Sequence, residues 1–191
     1  PRAPCAADGH SWAGERVSVG GRMCYVIGVD PGLTGAVSFI GPDGAAIIDI
    51  PTIHLPGNGK VSRRVDGYAL ASMIRAHVPV GHKAIAVCEA VHAMPGNDIG
   101  SQGSLLRSLG AIEAVLDVLR FKPRMVSPQT WQAHYGLKGK KAVKREHGEM
   151  PQAIVIARTL YPEVAHWLSR VKDHNRAESL LIAHHGMQEF A

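Results

Sequence analysis

VIGVDPGLTGAV, residues 26–37, is the stretch from which the fold can be read. Val26, Ile27 and Val29 make a short β-favouring run that ends on Asp30, and Pro31, Gly32 and Gly35 then turn the chain into a second apolar run, AVSFIG (36–41). A third run, AAIIDI (45–50), follows the turn residues PDG (42–44), so the spacing predicts an antiparallel meander of three strands. Asp30 falls where the first strand ends, at the mouth of a sheet, and the small residues behind it let a phosphate or a backbone approach closely. An aspartate before proline also simply starts a turn. This stretch alone leaves both readings open.

Outward from the meander the pattern changes period. Upstream, residues 1–22 show neither the strand nor the helix period, so a flexible N-terminal extension is expected, with the folded domain starting at Met23 and running to 191. Downstream come a polar loop (51–67), an amphipathic helix (68–78) and a nearly continuous apolar run, KAIAVCEAV (83–91). Such a run suits a strand covered on both faces. A Gly/Pro loop (92–100) leads to a long helix (101–121), a short fifth strand (124–128), a helix over 129–137, a basic linker (138–146), a helix over 151–161 and a closing helix from Asp173. The order β-β-β-α-β-α-β-α-α predicts a mixed α/β domain, one half antiparallel and the other built by crossovers.

Glu89 is conspicuous because the strand around it is otherwise apolar, and an unpaired buried carboxylate is costly. An arginine could compensate it, or a metal ion shared with Asp30 could. If the first and fourth strands are neighbours, both acids emerge at one sheet edge, where two carboxylates do not stay charged cheaply without a cation between them. The closing stretch KDHNRAESLLIAHHG (172–186) adds a third set. His174 and Glu178 are four apart and share a helix face, Asp173 stands at the N-cap position, and Asn175 lies three before Glu178. Plain capping would account for Asp173, but not for Glu178, which precedes an apolar run on a helix that packs on the sheet. Oxygen donors from strand, strand and helix suit Mg²⁺ or Mn²⁺ rather than zinc.

The three segments IGVDPGLTGAV, CEAV and KDHNRAESLLIAHHG together resemble the three motifs of the RuvC-type Holliday-junction resolvases, within the ribonuclease H-like superfamily. GKVSRRVDG, VSPQTWQAHYGL and the last motif are most similar to the chloroplast-like and phage branch. The resemblance covers roughly residues 23–187 and implies a ribonuclease H-like fold, a mixed five-stranded sheet with helices on both faces. It further implies a homodimeric, Mg²⁺-dependent hydrolase with two ions per site (Mn²⁺ substituting), making paired cuts in a four-way DNA junction during recombination and repair. Asp30, Glu89 and Glu178 match the family's acids. Many bacterial members carry an Asp or His where this chain has Asn175. The chloroplast-like branch reads Asp-His-Gly-Arg-Ala-Glu, which makes Asp173 the fourth catalytic ligand and His174 its reserve.

Bulk properties agree with a nucleic-acid partner. The 191 residues carry a net charge of +5, with a pI near 9.3. No apolar run approaches the roughly 20 residues of a membrane span, and Cys5, Cys24 and Cys88 suggest neither a disulfide framework nor a thiolate metal site. The expectation is a nucleoid-associated protein of a bacterial or phage cytoplasm. Lys60, Arg63 and Arg64 in the loop before the first helix, and Lys138, Lys140 and Lys141 in the basic linker, are expected to contact DNA phosphates. Met94 and Pro95 are placed to wedge against a base pair. Ser101 and Gln102 begin a helix whose backbone N–H groups can take a phosphate. Two other functions fit the same residues: a branched-DNA-binding protein that does not cut, and a nuclease acting on flaps, forks or RNA–DNA hybrids.

Overall fold

In a computed structural model, residues 18–19, 22–56, 62–91, 98–137 and 150–190 are described. The meander forms as its pattern requires. β2 (Arg22–Asp30) pairs antiparallel with β3 (Ala36–Gly41), and β3 with β4 (Gly44–Asp49). β1 (Ser18–Val19), five residues before Met23, pairs antiparallel with the start of β2, and residues 1–17 of the expected N-terminal extension lie outside the described residues.

Residues 51–67, expected as a polar loop, instead hold a hairpin. β5 (Thr52–Leu55) pairs antiparallel with β6 (Ser62–Val65). Pairing gives this polar stretch a use for its backbone hydrogen-bonding groups, and buried Val65 anchors it to the core. α1 (Gly67–His77) follows at once, its first turn capped by Asp66, whose carboxylate accepts from the Ala69 N–H at 3.0 Å. Such a cap contributes about 1 kcal/mol.

β7 (Lys83–Glu89) lies parallel to β2, and β8 (Pro123–Val126) parallel to β7, giving the five-strand order β4-β3-β2-β7-β8. α2 (Ile99–Val118) makes the crossover between β7 and β8. α3 (Pro128–His134), α4 (Gln152–Leu160), a 3₁₀ segment (Pro162–Leu168) and α5 (His174–Phe190) complete the chain, with one further 3₁₀ turn, Val171–Asp173, leading into α5.

Two apolar layers sandwich the sheet. Ile27, Val29, Val37, Phe39, Ala86 and Cys88 meet α1 and α2 on one face, through Leu70, Ile74, Ile112 and Leu116. On the other face Val26, Ala36, Ile40 and Val87 meet α4 and α5 through Ile154, Leu180, Leu181 and Ala183. Each fully buried Leu or Ile contributes roughly 1.5–3 kcal/mol. α5 is buried from Ser179 to Gly186 without a break, so it is enclosed on all sides rather than amphipathic. It lies so close to the sheet that a Cβ on Gly28 would strike the α5 backbone at Ser179 and Ala183. A buried hydrogen bond of 2.6 Å between the Ser38 and Ser179 hydroxyls fixes the same contact.

Candidate active site

Strand parity decides which way the acids face. In β2, Cys24 and Val26 belong to the α5 side and Ile27 and Val29 to the α1/α2 side, so Asp30 projects toward α5. In β7, Val87 is on the α5 side and Ala86 and Cys88 are opposite, so Glu89 also projects toward α5. Val29 pairs with Cys88 in parallel register, which leaves Asp30 and Glu89 side by side at the carboxyl edge, on strands about 4.8 Å apart. Glu178 stands in the second turn of α5, the helix that covers this face.

Electrostatics records the convergence. Burial pushes the Asp30 carboxyl well above the usual carboxylate range, and the neighbouring Glu178 and Glu89 push it further. Burial also raises Glu89, opposed by the indole of Trp131, whose Nε1–H donates to Glu89 Oε1 at 2.9 Å. Trp131 itself is fully buried, a core residue as well as a donor. An open cleft of about 850 Å³ adjoins Asp30, walled by the turn Pro31–Thr34, by Ser101, Ser104 and Leu105 of α2, and by Asn175. The Asn175 amide donates to the Thr34 carbonyl at 2.7 Å, fastening the start of α5 to that turn.

Asp173, the fourth ligand that the family resemblance implies, has both of its oxygens engaged by arginine. The Arg170 side chain donates to Oδ1 at 2.7 Å, the Arg170 backbone N–H donates to Oδ2 at 2.8 Å, and Arg176 stands 3.5 Å from Oδ1. Hydrogen bonding from Arg170 accordingly holds the Asp173 carboxyl below its ordinary value. Arg176 continues the network with a two-pronged contact to Asp49, 2.6 Å on each arm. His174 is exposed at the first position of α5.

Ser101 and Gln102 sit at the start of α2 as expected, but their backbone N–H groups are not available to a phosphate. The Asp98 carboxylate accepts from Ser101 N–H at 2.7 Å, and the Asp98 carbonyl accepts from Gln102 N–H at 3.0 Å. Arg63 and Arg64 are exposed, on the strand β6 rather than in a loop. Lys60, Met94, Lys138, Lys140 and Lys141 lie outside the described residues.

Among the described residues, the one group of three or more His, Cys, Asp or Glu donors gathered within 4.8 Å is not the acidic edge but His134, His185 and Glu189. In that second group, burial and the neighbouring His134 lower the pKa of His185, and Glu189 opposes them. Sequence reasoning missed it, although His185 and Glu189 are four apart on one helix and carried a signal.

No protein-family model matches the chain, and no curated protein matches it. Among solved structures, Thermus thermophilus RuvC in complex with Holliday junction substrate is similar at a TM-score of 0.50 and 14% identity, covering 86% of this chain and 95% of that one. A second Thermus thermophilus RuvC structure is similar at a TM-score of 0.43 and 15% identity, covering 83% and 90%. The chain therefore has the ribonuclease H-like α/β fold of RuvC, with a mixed five-stranded sheet and helices on both faces.

Proposed function

We propose that this chain is a metal-dependent DNA endonuclease that resolves four-way junctions as a homodimer, by paired phosphodiester hydrolysis. The observation that carries the reading is the meeting of Asp30, Glu89 and Glu178 at one sheet edge, close enough for the two glutamates to raise the aspartic acid. A protein gains nothing in stability from three acids so placed. A dication removes the cost, and an all-carboxylate donor set fits a hard ion such as Mg²⁺ or Mn²⁺. Asp30, Glu89 and Glu178 would hold two such ions. When bound, they supply Lewis-acid stabilisation of the phosphate and a water more easily deprotonated than bulk water.

The surrounding residues keep the acids in place. Trp131 orients Glu89 through its indole N–H, and Asn175 ties the turn beside Asp30 to α5. Asp173, bound by Arg170 and Arg176, braces the start of the helix that carries Glu178 and so acts as a positioning residue, with His174 exposed beside it. The cleft beside Asp30 is open enough for a phosphodiester backbone. Arg63 and Arg64, with Lys60, Lys138, Lys140 and Lys141, would supply the positive charge that tracks phosphates. Likeness to a RuvC bound to a Holliday junction supports the choice of branched DNA as substrate, and the motif at 173–178 favours the chloroplast-like branch.

The deciding experiment mixes the protein with end-labelled four-way junction, flap, fork and RNA–DNA hybrid under Mg²⁺ or Mn²⁺. Paired cuts in the junction, abolished by Asp30→Asn while junction binding persists, are the expected result. Junctions bound but left intact with either ion would make the chain a branched-DNA binder instead. Faster cutting of another substrate would keep the chemistry and replace the target.

A further inference from the structure

The group formed by His134, His185 and Glu189 lies apart from the acidic edge. His185 is seven residues beyond Glu178, about 10 Å further along the axis of α5. Glu189 follows one turn later on the same face, and His134 approaches from the last position of α3. The rings of His134 and His185 meet edge to face, with centroids 5.3 Å apart. One potential donor atom from each of the three residues falls within 4.8 Å of the others.

A second observation points to a ligand. His185 is only 5% exposed, and its Nδ1 is buried without a hydrogen-bond partner. Buried polar atoms in folded proteins are almost always paired, and one that is not calls for an explanation such as a water or an ion. Here the orphan belongs to the one buried member of a three-donor set whose other two members are exposed. A dication entering from solvent would meet His134 and Glu189 first and be anchored by His185 from within.

We propose that His134, His185 and Glu189 form a second metal site, for a transition-metal dication of the zinc class, that fastens α3 to α5. Two imidazoles and one carboxylate are donors that suit zinc or a neighbouring first-row ion, not magnesium, which prefers oxygen alone. Zinc–ligand bonds of about 2.0–2.2 Å would draw the donors somewhat closer together, and the two exposed side chains have the freedom to follow. Three protein ligands leave the fourth tetrahedral position to water. The clamp would reach the acidic edge indirectly. α3 is one short helix, and Trp131, one turn before His134, donates to Glu89.

The test needs no DNA and does not depend on the proposed nuclease activity. Tag-free protein, stripped with EDTA, is titrated with Zn²⁺ and with Co²⁺ in excess Mg²⁺, and followed by calorimetry, cobalt absorption and thermal melting. One Zn²⁺ per chain is expected, raising the melting temperature by roughly 5 °C or more at a hundredfold excess over Kd. His134→Ala and Glu189→Gln, both at exposed positions, should each weaken binding by a factor of ten or more, while Asp30→Asn and Glu178→Gln leave it unchanged. Absence of binding, or binding indifferent to His134→Ala and Glu189→Gln, would overturn the proposal. So would loss of the Zn²⁺ in Asp30→Asn, which would place the ion among the acids.

Discussion

Asp30 carries two costs, desolvation and the nearness of two glutamates, and both raise its folded pKa. A carboxyl raised on folding gives stability that is present at low pH and lost as pH rises through the folded value. In EDTA, Asp30→Asn should therefore melt a few degrees higher than wild type near neutral pH, and Mg²⁺ should raise wild type but not the variant. A variant that melts lower would mean the acid is not strained. Trp131→Phe keeps an aromatic ring in the core, though a smaller one, and removes the donor to Glu89. Cutting should fall by about ten- to a hundredfold with junction binding little changed, the usual toll for losing an outer partner of a metal ligand. Asp173→Asn separates two roles: a bracing residue predicts lower stability and a modest loss of rate, whereas a ligand predicts loss of cutting outright. The three acids were legible because charged residues in apolar surroundings demand an explanation. The engagement of Asp173 was not, because it depends on where Arg170 and Arg176 fold, and nothing in their spacing told them from solvated cations.

At the level of elements, α5 is pressed against the centre of the sheet. Gly28 in β2 admits its backbone and Gly186 in α5 admits Val87. Gly28→Ala should destabilise the protein by more than about 3 kcal/mol or prevent folding, since a methyl group has no space between two backbones. Urea unfolding measures it, and a loss below about 1 kcal/mol would show that the helix can lift away cheaply. Strands and helices with a strong period were readable from sequence, β2 and β7 among them, but that these two are parallel neighbours stood only as a condition, because pairing depends on where the crossover returns, and the structure supplies it. The β5/β6 hairpin was not, because four-residue strands with mixed polarity carry too little alternation to tell from loop. The 3₁₀ segment at Pro162–Leu168 escaped for the same reason: only Val164 and Leu168 in it are buried.

For the whole molecule, pH acts in two opposed ways, and His184 works against Asp30 by weakening the fold in acid. His184 is enclosed beside Tyr161, whose hydroxyl lies 2.7 Å from His184 Nδ1, and burial, with His134 and His185 nearby, lowers its pKa to about 4. The unfolded value is about 6.5. A base depressed on folding leaves stability intact above the unfolded value, and stability drains away as pH falls from about 6.5 to about 4, by an amount on the order of 3 kcal/mol. Urea midpoints in EDTA should drop over that window, and His184→Gln should flatten the dependence. Asp30 acts in the opposite direction, so the comparison is made in Asp30→Asn, where a midpoint that does not move over that range would show that His184 stays charged when folded. The registered pairing of β2 with β7 has a further consequence. Parity alone turns Asp30 and Glu89 toward the same helix, and a slip of β2 by a single residue would send Asp30 to the opposite side and set Ile27 or Val29 against the α5 backbone, where only Gly28 fits. The same glycine that admits the helix therefore guards the register of the acids: a chain threaded one residue out of step loses its central helix contact and its acid pair together.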